Sequence, residues 1–450
     1  MLNRLLKLFG TRKVEVIPQV IPAEDHAISR HQVSHSALKV IDRLQKAGFL
    51  AYLVGGGVRD TMLGGQPKDF DVATNATPEE VVSLFRNGRL IGRRFQIVHV
   101  RFGREIIEVT TFRDHHNAAR GSHQASQSEQ GLLLRDNVYG DIESDAIRRD
   151  FTVNALYYDP NSEELYDFVQ GVADLENRVL RIIGNASNRY KEDPVRMLRA
   201  VRFSAKLGFD LAPKTEAPLR GMAELLTHVP PARLFEEVLK LFMNGSATAT
   251  FGLLQEYKLL DYLFPGTARA LNSKSESNDI DQQLIEQAFI NTDTRIRQGK
   301  RVTPAFLYAA LLWPQVRATM ATLTEKQNLR PQEALQQAAQ NAVSEQLGHT
   351  SIPKRFLIPM REIWFLQLHL PRREGRRAYA LLEHPRFRAA YDFLLLREEA
   401  GESMQGLGMW WTRFQSADEA ERESMVKSVG DGAGGRRSRR RPRRSKPRPE

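Results

Sequence analysis

Leu53-Val54-Gly55-Gly56-Gly57-Val58-Arg59-Asp60 runs out of an apolar strand, through three glycines, into the start of a helix. Glycines at such a junction let the backbone approach a ligand closely, and the first N–H groups of the following helix can hold phosphate. Arg59 adds a charge-assisted donor. The pattern lacks the later third glycine of a dinucleotide fingerprint and the Gly-Lys-Ser/Thr of a P-loop. A tight structural turn would account for the glycines alone. Upstream, Ser36 can cap a helix whose apolar face is Leu38, Val40, Ile41 and Leu44, with Gly48 ending it before a strand over Phe49–Val54. Downstream, a second strand begins near Asp69, and Thr77-Pro78-Glu79-Glu80 opens a helix with a cap, a first-turn proline and two acids. Ile97–Phe102 and Glu105–Phe112 read as a hairpin around Gly103-Arg104. Short strands, hairpins and a few helices predict an α+β head over 36–170 with a small mixed or antiparallel sheet. A doubly wound layout would need regular βαβ units.

Asp69-Phe70-Asp71 falls at the opening of the second strand, where side chains two apart share a face. Two carboxylates held together repel and raise each other's pKa, and a divalent cation between them relieves this. Asp-x-Asp alone is a weak signal, since a solvated loop pair looks the same. Glu108 shares a face with Ile106 and Thr110 and becomes a third acid of interest only if Asp69 and Asp71 lie close by. Arg148-Arg149-Asp150 precedes the apolar run Phe151–Leu156. Glu192-Asp193-Pro194 begins a helix carrying Arg196, Arg199 and Arg202 as a cationic ridge. Such a ridge can meet nucleobases or serve as a salt-bridged surface. Asp114-His115-His116 stands alone and is read as loop.

The chain has 450 residues, 41% of them hydrophobic, enough for about three domains at roughly 150 residues each. It has no cysteine, which excludes disulfides, thiolate zinc sites and cysteine nucleophiles and suits a reducing compartment. No run is long and apolar enough to cross a bilayer, so a cytoplasmic protein without stable membrane insertion is expected; Met1–Gly10 could form a short amphipathic helix. Beyond Gly171 the pattern turns helical, with apolar stripes in Ala232–Met243, Phe306–Trp313, Gln332–Leu347 and Arg377–Glu399, and a polar loop over Ser273–Asp281. The division expected is an N-terminal arm at 1–35, the head at 36–170, a helical neck at 171–245, a helical body at 246–415 and a disordered basic tail at 416–450. Arg436–Glu450 holds nine basic residues against one acid, +8 of the chain's +11, which leaves +3 for the rest. A segment so charged should seek a polyanion, with Arg436, Arg437, Arg439, Arg440, Arg441, Arg443 and Arg444 as RNA contacts.

Taken in order, GGGVRD, DFD, RRDFTVNAL and EDPVRMLRAVRF resemble the class II nucleotidyltransferases of the DNA polymerase β superfamily, which comprise bacterial poly(A) polymerases and CCA-adding enzymes. The resemblance implies a polymerase-β-like head followed by helical neck and body. It implies that Gly55, Gly56 and Arg59 hold a nucleoside triphosphate and that Asp69 and Asp71 are catalytic and bind metal; on physical grounds an acid such as Glu108 can help hold or orient the ion, which makes it a third metal candidate. It also implies that Arg149 and Asp150 contact triphosphate and ribose, with Asp150 among the catalytic residues. Glu192, Asp193, Arg196 and Arg199 would shape the base pocket. Ile91-Gly92-Arg93-Arg94-Phe95-Gln96-Ile97-Val98-His99-Val100 is similar to the poly(A) polymerase branch, as are Ile352–Arg355 and Glu383–Tyr391. The expected activity is template-independent addition of AMP from ATP to RNA 3′ ends, with Mg²⁺, or Mn²⁺ in its place, release of pyrophosphate, a role in RNA turnover, and RNA-decay proteins as partners. A CCA-adding tRNA nucleotidyltransferase is the first alternative and a non-catalytic RNA-binding adaptor the second. No His-Asp dipeptide occurs, so the phosphohydrolase domain of some CCA-adding enzymes is not indicated.

Overall fold

Alternation along Ile97–Phe102 and Glu105–Thr111 puts Val98, Val100, Ile107 and Val109 on one buried face, and Gly103, at φ +60°, turns the chain between the two strands. This is the hairpin expected from the sequence, and it belongs to an eight-stranded sheet. The structure is a computed structural model, and it describes residues 17–92, 96–114, 125–127, 133–136, 138–273 and 278–433. The Met1–Gly10 stretch, Arg93-Arg94-Phe95, His115-His116 and the basic residues from Arg436 onward lie outside the described residues. In chain order the strands are β1 (Gln19–Ile21), β2 (Ala51–Val54), β3 (Asp71–Thr74), β4 (Gly88–Ile91), β5 (Ile97–Phe102), β6 (Glu105–Thr111), β7 (Ala125–Gln127), β8 (Leu133–Asp136), β9 (Leu156–Asp159) and β10 (Glu164–Asp167). The large sheet runs β1-β10-β9-β2-β3-β6-β5-β4, and β7 and β8 pair separately. Within the large sheet only β3 and β6 are parallel neighbours. Their register sets Asp71 opposite Glu108, and Glu108 in turn lies opposite His99 of β5.

The described residues form two compact units that divide between Val229 and Pro230. In the first, the helix His35–Lys46 buries Ala37, Val40, Ile41 and Leu44, while Val54, Ala73, Phe112, Ala146, Tyr157 and Phe168 form a buried cluster. The helix begins one step before the expected cap: Ser34, not Ser36, accepts the Ala37 N–H, and Gly48 follows its end at φ +89°. The sheet is larger than expected because part of the arm joins it. Gln19–Ile21 pairs antiparallel with β10. Val179–Leu180 and Asp210–Leu211 add a two-residue parallel ladder to an otherwise helical stretch.

The second unit is helical, with Trp364 and Trp411 fully buried and each indole N–H donated to a backbone carbonyl, of Ala309 and Leu370 respectively. The expected stripe over Arg377–Glu399 is two helices, Arg376–Leu382 and Phe387–Glu399, because Pro385 cannot continue the first. The expected loop Ser273–Asp281 is already helical from Asn278, and Asp281 is buried against Arg317 at 2.8 Å. Glu419–Ala433, placed in the tail by sequence, is a helix. Asp418 accepts the Glu421 N–H at its start, and Met425 and Val426 pack in a cluster with Trp411 and Phe414.

Candidate active site

Gly55 sits at φ +78°, ψ −137°, between β2 and the helix Gly56–Met62, in a region that side chains avoid. A Cβ on it would lie 3.7 Å from Arg149 Nη1 and 3.8 Å from Asp71 Oδ2. The glycine turn, a guanidinium and a carboxylate therefore meet at one place. Gly57 serves packing instead: a Cβ there would stand 3.2 Å from the Asp69 carbonyl oxygen and 3.3 Å from the Phe70 ring. Its absence seats Asp69-Phe70-Asp71 against the helix.

Asp69 precedes β3 rather than opening it, and is exposed; Phe70 is buried, and Asp71 is the first residue of the strand. Burial first, then the Glu108 carboxylate and more weakly Asp69, push the Asp71 carboxyl up to about 6, with Arg149 opposing them. Glu108 and Asp69 thus both act on Asp71. Glu108 Oε1 lies 3.2 Å from His99 Nε2, at an angle that makes no hydrogen bond. A half-buried acidic cluster whose repulsion raises a carboxyl pKa is a donor set that suits a hard divalent cation. Among the described residues no group of three or more His, Asp or Glu stands together so as to hold a metal ion by itself. An ion held here would have to take its remaining ligands from water and substrate phosphate oxygens.

Arg149 is held by residues that the sequence did not single out. Its Nε donates to Asp145 Oδ2 at 3.1 Å and to the Tyr157 hydroxyl at 2.8 Å, and its Nη2 donates to Asp145 at 3.0 Å. Tyr157 in turn donates to Asp145 at 2.6 Å. Burial alone would lower the Arg149 pKa, but Tyr157 and Asp145 raise it above the ordinary arginine value. Among the described residues Nη1 has no protein acceptor, and it faces the Gly55 turn. Asp145 lies in the helix Ile142–Arg148 and stands four residues before Arg149, which caps it, a spacing that favours pairing. Nothing in the sequence pointed to Tyr157.

Asp150 and Arg59 are enclosed. Asp150 Oδ1 accepts from the Phe151 N–H at 2.8 Å and from Asn154 Nδ2 at 3.2 Å, while Oδ2 accepts from Arg199 Nε at 2.7 Å and from its Nη2. Burial would raise this carboxyl, yet Arg199, Asn154 and the Phe151 N–H hold it well below the carboxylate range. So weak a base is suited to fixing Arg199, not to accepting a proton. Arg59, 2% exposed, donates to Asp60 and, at 2.5 Å, to Asn154 Oδ1. Its Nη2 would stand 3.4 Å from a Cβ on Gly56, so the buried guanidinium backs the glycine turn while bracing Asn154, which braces Asp150.

Each arginine of the expected cationic ridge has a partner, and two of the three meet carboxylates. Arg196 Nη1 donates to Glu192 at 2.9 Å, Arg199 meets Asp150, and Arg202 lies over the Phe203 ring at 4.5 Å. Asp193 Oδ1 accepts the Val195 N–H at 3.3 Å, at the start of the helix. The residue missed here is Arg189. Its Nη2 donates to the carbonyls of Arg148 and Arg149, and its Nη1 to Glu192 at 2.8 Å. Burial and the charges of Arg196 and Arg148 lower it to about 10, so it stays protonated at neutral pH. One guanidinium thereby ties the Arg149 backbone to the Glu192–Arg196 pair.

Comparison with known proteins bears on this arrangement. The family described as "Poly A polymerase head domain" matches residues 51–181, "Probable RNA and SrmB- binding site of polymerase A" matches 208–271, and "Polymerase A arginine-rich C-terminus" matches 327–445. A Poly(A) polymerase I of Escherichia coli is 50% identical over 434 residues, covering 96% of this chain and 93% of that protein. The chain belongs to the poly(A) polymerase family. A Poly(A) polymerase I of Haemophilus influenzae is 45% identical and covers 90% of both chains. Among solved structures, the CCA-adding enzyme of Bacillus stearothermophilus in complex with CTP is similar at 26% identity and a TM-score of 0.52, covering 88% of this chain and 82% of that one. Poly(A) polymerase relatives thus match nearly the whole length at about twice that identity. No helix among the described residues is long and apolar enough to cross a membrane.

Proposed function

We propose that this member of the poly(A) polymerase family adds AMP from ATP to RNA 3′ ends without a template. The observation that carries the reading is the meeting of Asp71, Arg149 Nη1 and the Gly55 turn, with Asp69 and Glu108 close enough to perturb Asp71. The triphosphate would lie along Gly55 and Gly56, with Arg149 Nη1 as its charged donor. Asp69, Asp71 and Glu108 would hold Mg²⁺, or Mn²⁺ in its place. Such an ion supplies neutralisation of the charge on phosphate and on the attacking and leaving oxygens.

The side chains of this chain then supply position. Asp145 and Tyr157 fix Arg149, and Asp150 fixes Arg199 beside the base-reading residues Glu192, Asp193 and Arg196. The RNA 3′-hydroxyl oxygen loses its proton to solvent and bonds to the α-phosphorus, the bond from that phosphorus to the bridging oxygen of the β-phosphate breaks, and pyrophosphate leaves. Phosphoryl-type transfer depends on positioning and charge, so no covalent intermediate is needed. The lack of cysteine and the family relatives favour a cytoplasmic enzyme that marks RNA for turnover. The test is extension of end-labelled RNA by the purified protein with Mg²⁺ and each nucleoside triphosphate in turn. ATP-dependent ladders that vanish in Asp69→Ala and Asp71→Ala are expected. Incorporation of CTP at a comparable rate would replace this reading with CCA addition, and no release of pyrophosphate would leave an RNA-binding adaptor.

A further inference from the structure

The second unit contains a cleft of about 290 Å³ lined by Gln332, Gln336, Arg361, Phe365, Leu368 and His369. It lies at the small end of the range for ligand pockets. Two pairs of residues, each one helical turn apart, make its walls: Gln332 and Gln336 from the helix Pro331–Gln346, and Arg361 and Phe365 from the helix Lys354–Gln367. The Arg361 guanidinium lies over the Phe365 ring at 5.8 Å from its centroid. No carboxylate lines the cleft, and neither glutamine amide has a hydrogen-bond partner among the described residues. Burial, then Arg372 and His384 nearby, depress the proton affinity of His369.

An aromatic face backed by one guanidinium, a lining without acids, and two exposed amides form a set that suits one kind of ligand. Rings and guanidinium groups stack on bases, amides pair two-pronged with the N6 and N7 edge of adenine, and cations hold phosphate. We propose that this cleft binds one nucleotide of single-stranded RNA and prefers adenine, so that the enzyme grips the tail it makes. The proposal rests on the reading of the chain as an RNA-extending polymerase and adds a second, non-catalytic site to it. The base stacks on Phe365 and Arg361, Gln332 and Gln336 read its edge, and His369 stands by the backbone.

The test uses the full chain and fluorescein-labelled oligo(A) and oligo(U) of equal length. Wild type should bind oligo(A) more tightly. Phe365→Leu should weaken oligo(A) binding by about fivefold or more, the loss of one stacked base, and Phe365→Tyr should restore it. The double change Gln332→Ala and Gln336→Ala should bring oligo(A) and oligo(U) affinities together. RNA carrying 8-azidoadenosine should crosslink within Lys354–Leu370, a readout that needs no variant. Equal affinities in wild type, an unchanged affinity in Phe365→Leu, or crosslinks confined to other segments would overturn the proposal; an unaffected RNA affinity would leave the cleft to a peptide instead. A wild type that extends RNA with ATP while its Phe365 variants bind RNA normally refutes the cleft alone. A wild type that never extends RNA refutes the catalytic reading.

Discussion

With a carboxyl pKa near 6 in the folded protein, against about 4 in an unfolded chain, Asp71 takes up a proton more readily when native. The sign follows. Below pH 4 the group is neutral in both states and has no effect, and as pH rises from about 4 through 6 the native state alone bears the cost of a buried charge, first from desolvation and then from Glu108 and Asp69. At neutral pH the penalty is on the order of 2 kcal/mol. In the presence of chelator at pH 7.5, Asp71→Asn should therefore unfold at a higher temperature than wild type while losing RNA extension. An equal or lower melting temperature would show that Asp71 is not under this strain. Asp150 has the opposite sign: its depressed carboxyl stabilises the fold above about pH 4, and that support disappears only at strongly acid pH. Asp150→Asn should cost about 2 kcal/mol in urea unfolding at pH 7, the worth of a hydrogen bond to a charged group. A loss no larger than that of a surface substitution would separate Asp150 from Arg199 energetically.

At the scale of elements, the site is assembled by contacts between segments far apart in the chain, and this decides what could be read beforehand. Asp69, Asp71, Glu108 and the glycine turn were legible because each sits in a local pattern, and the parallel pairing of β3 with β6 then brings Asp71 level with Glu108. Tyr157 was invisible, since its hydroxyl matters only after β9 carries it to Asp145 and Arg149. The burial of Arg59 was equally hidden. A charged side chain can be buried only beside partners, and one of those partners, Asn154, comes from another segment. Arg189 is the sharpest case, because its value lies in joining the helix Ala186–Glu192 to the carbonyls of Arg148 and Arg149. Lysine retains the charge but lacks the fork needed to reach both carbonyls and Glu192. Arg189→Lys should raise the KM for ATP on the order of tenfold, about one charge-assisted hydrogen bond, and lower kcat less. Steady-state extension at varied ATP checks this, and an unaltered KM would reduce Arg189 to a packing role.

For the whole molecule, charge is concentrated where the sequence ends: Arg436–Glu450 bears most of the net charge. Removing that segment should weaken RNA binding and flatten its dependence on salt, by about 0.7 in the log–log slope for each phosphate of a single strand that the segment no longer neutralises. Titrations at several KCl concentrations would show it, and an unchanged slope would rule out the segment as an RNA grip. The opposite end of the chain carries a different kind of responsibility. Gln19–Ile21 covers the outer side of β10, whose backbone would otherwise present open donors and acceptors to any neighbour. A shortened protein starting at Pro22 would keep every residue assigned to catalysis, yet its bare flank would invite a second copy to dock strand to strand. Loss of solubility after such trimming would then report on stickiness between molecules, and not on damage to the chemistry.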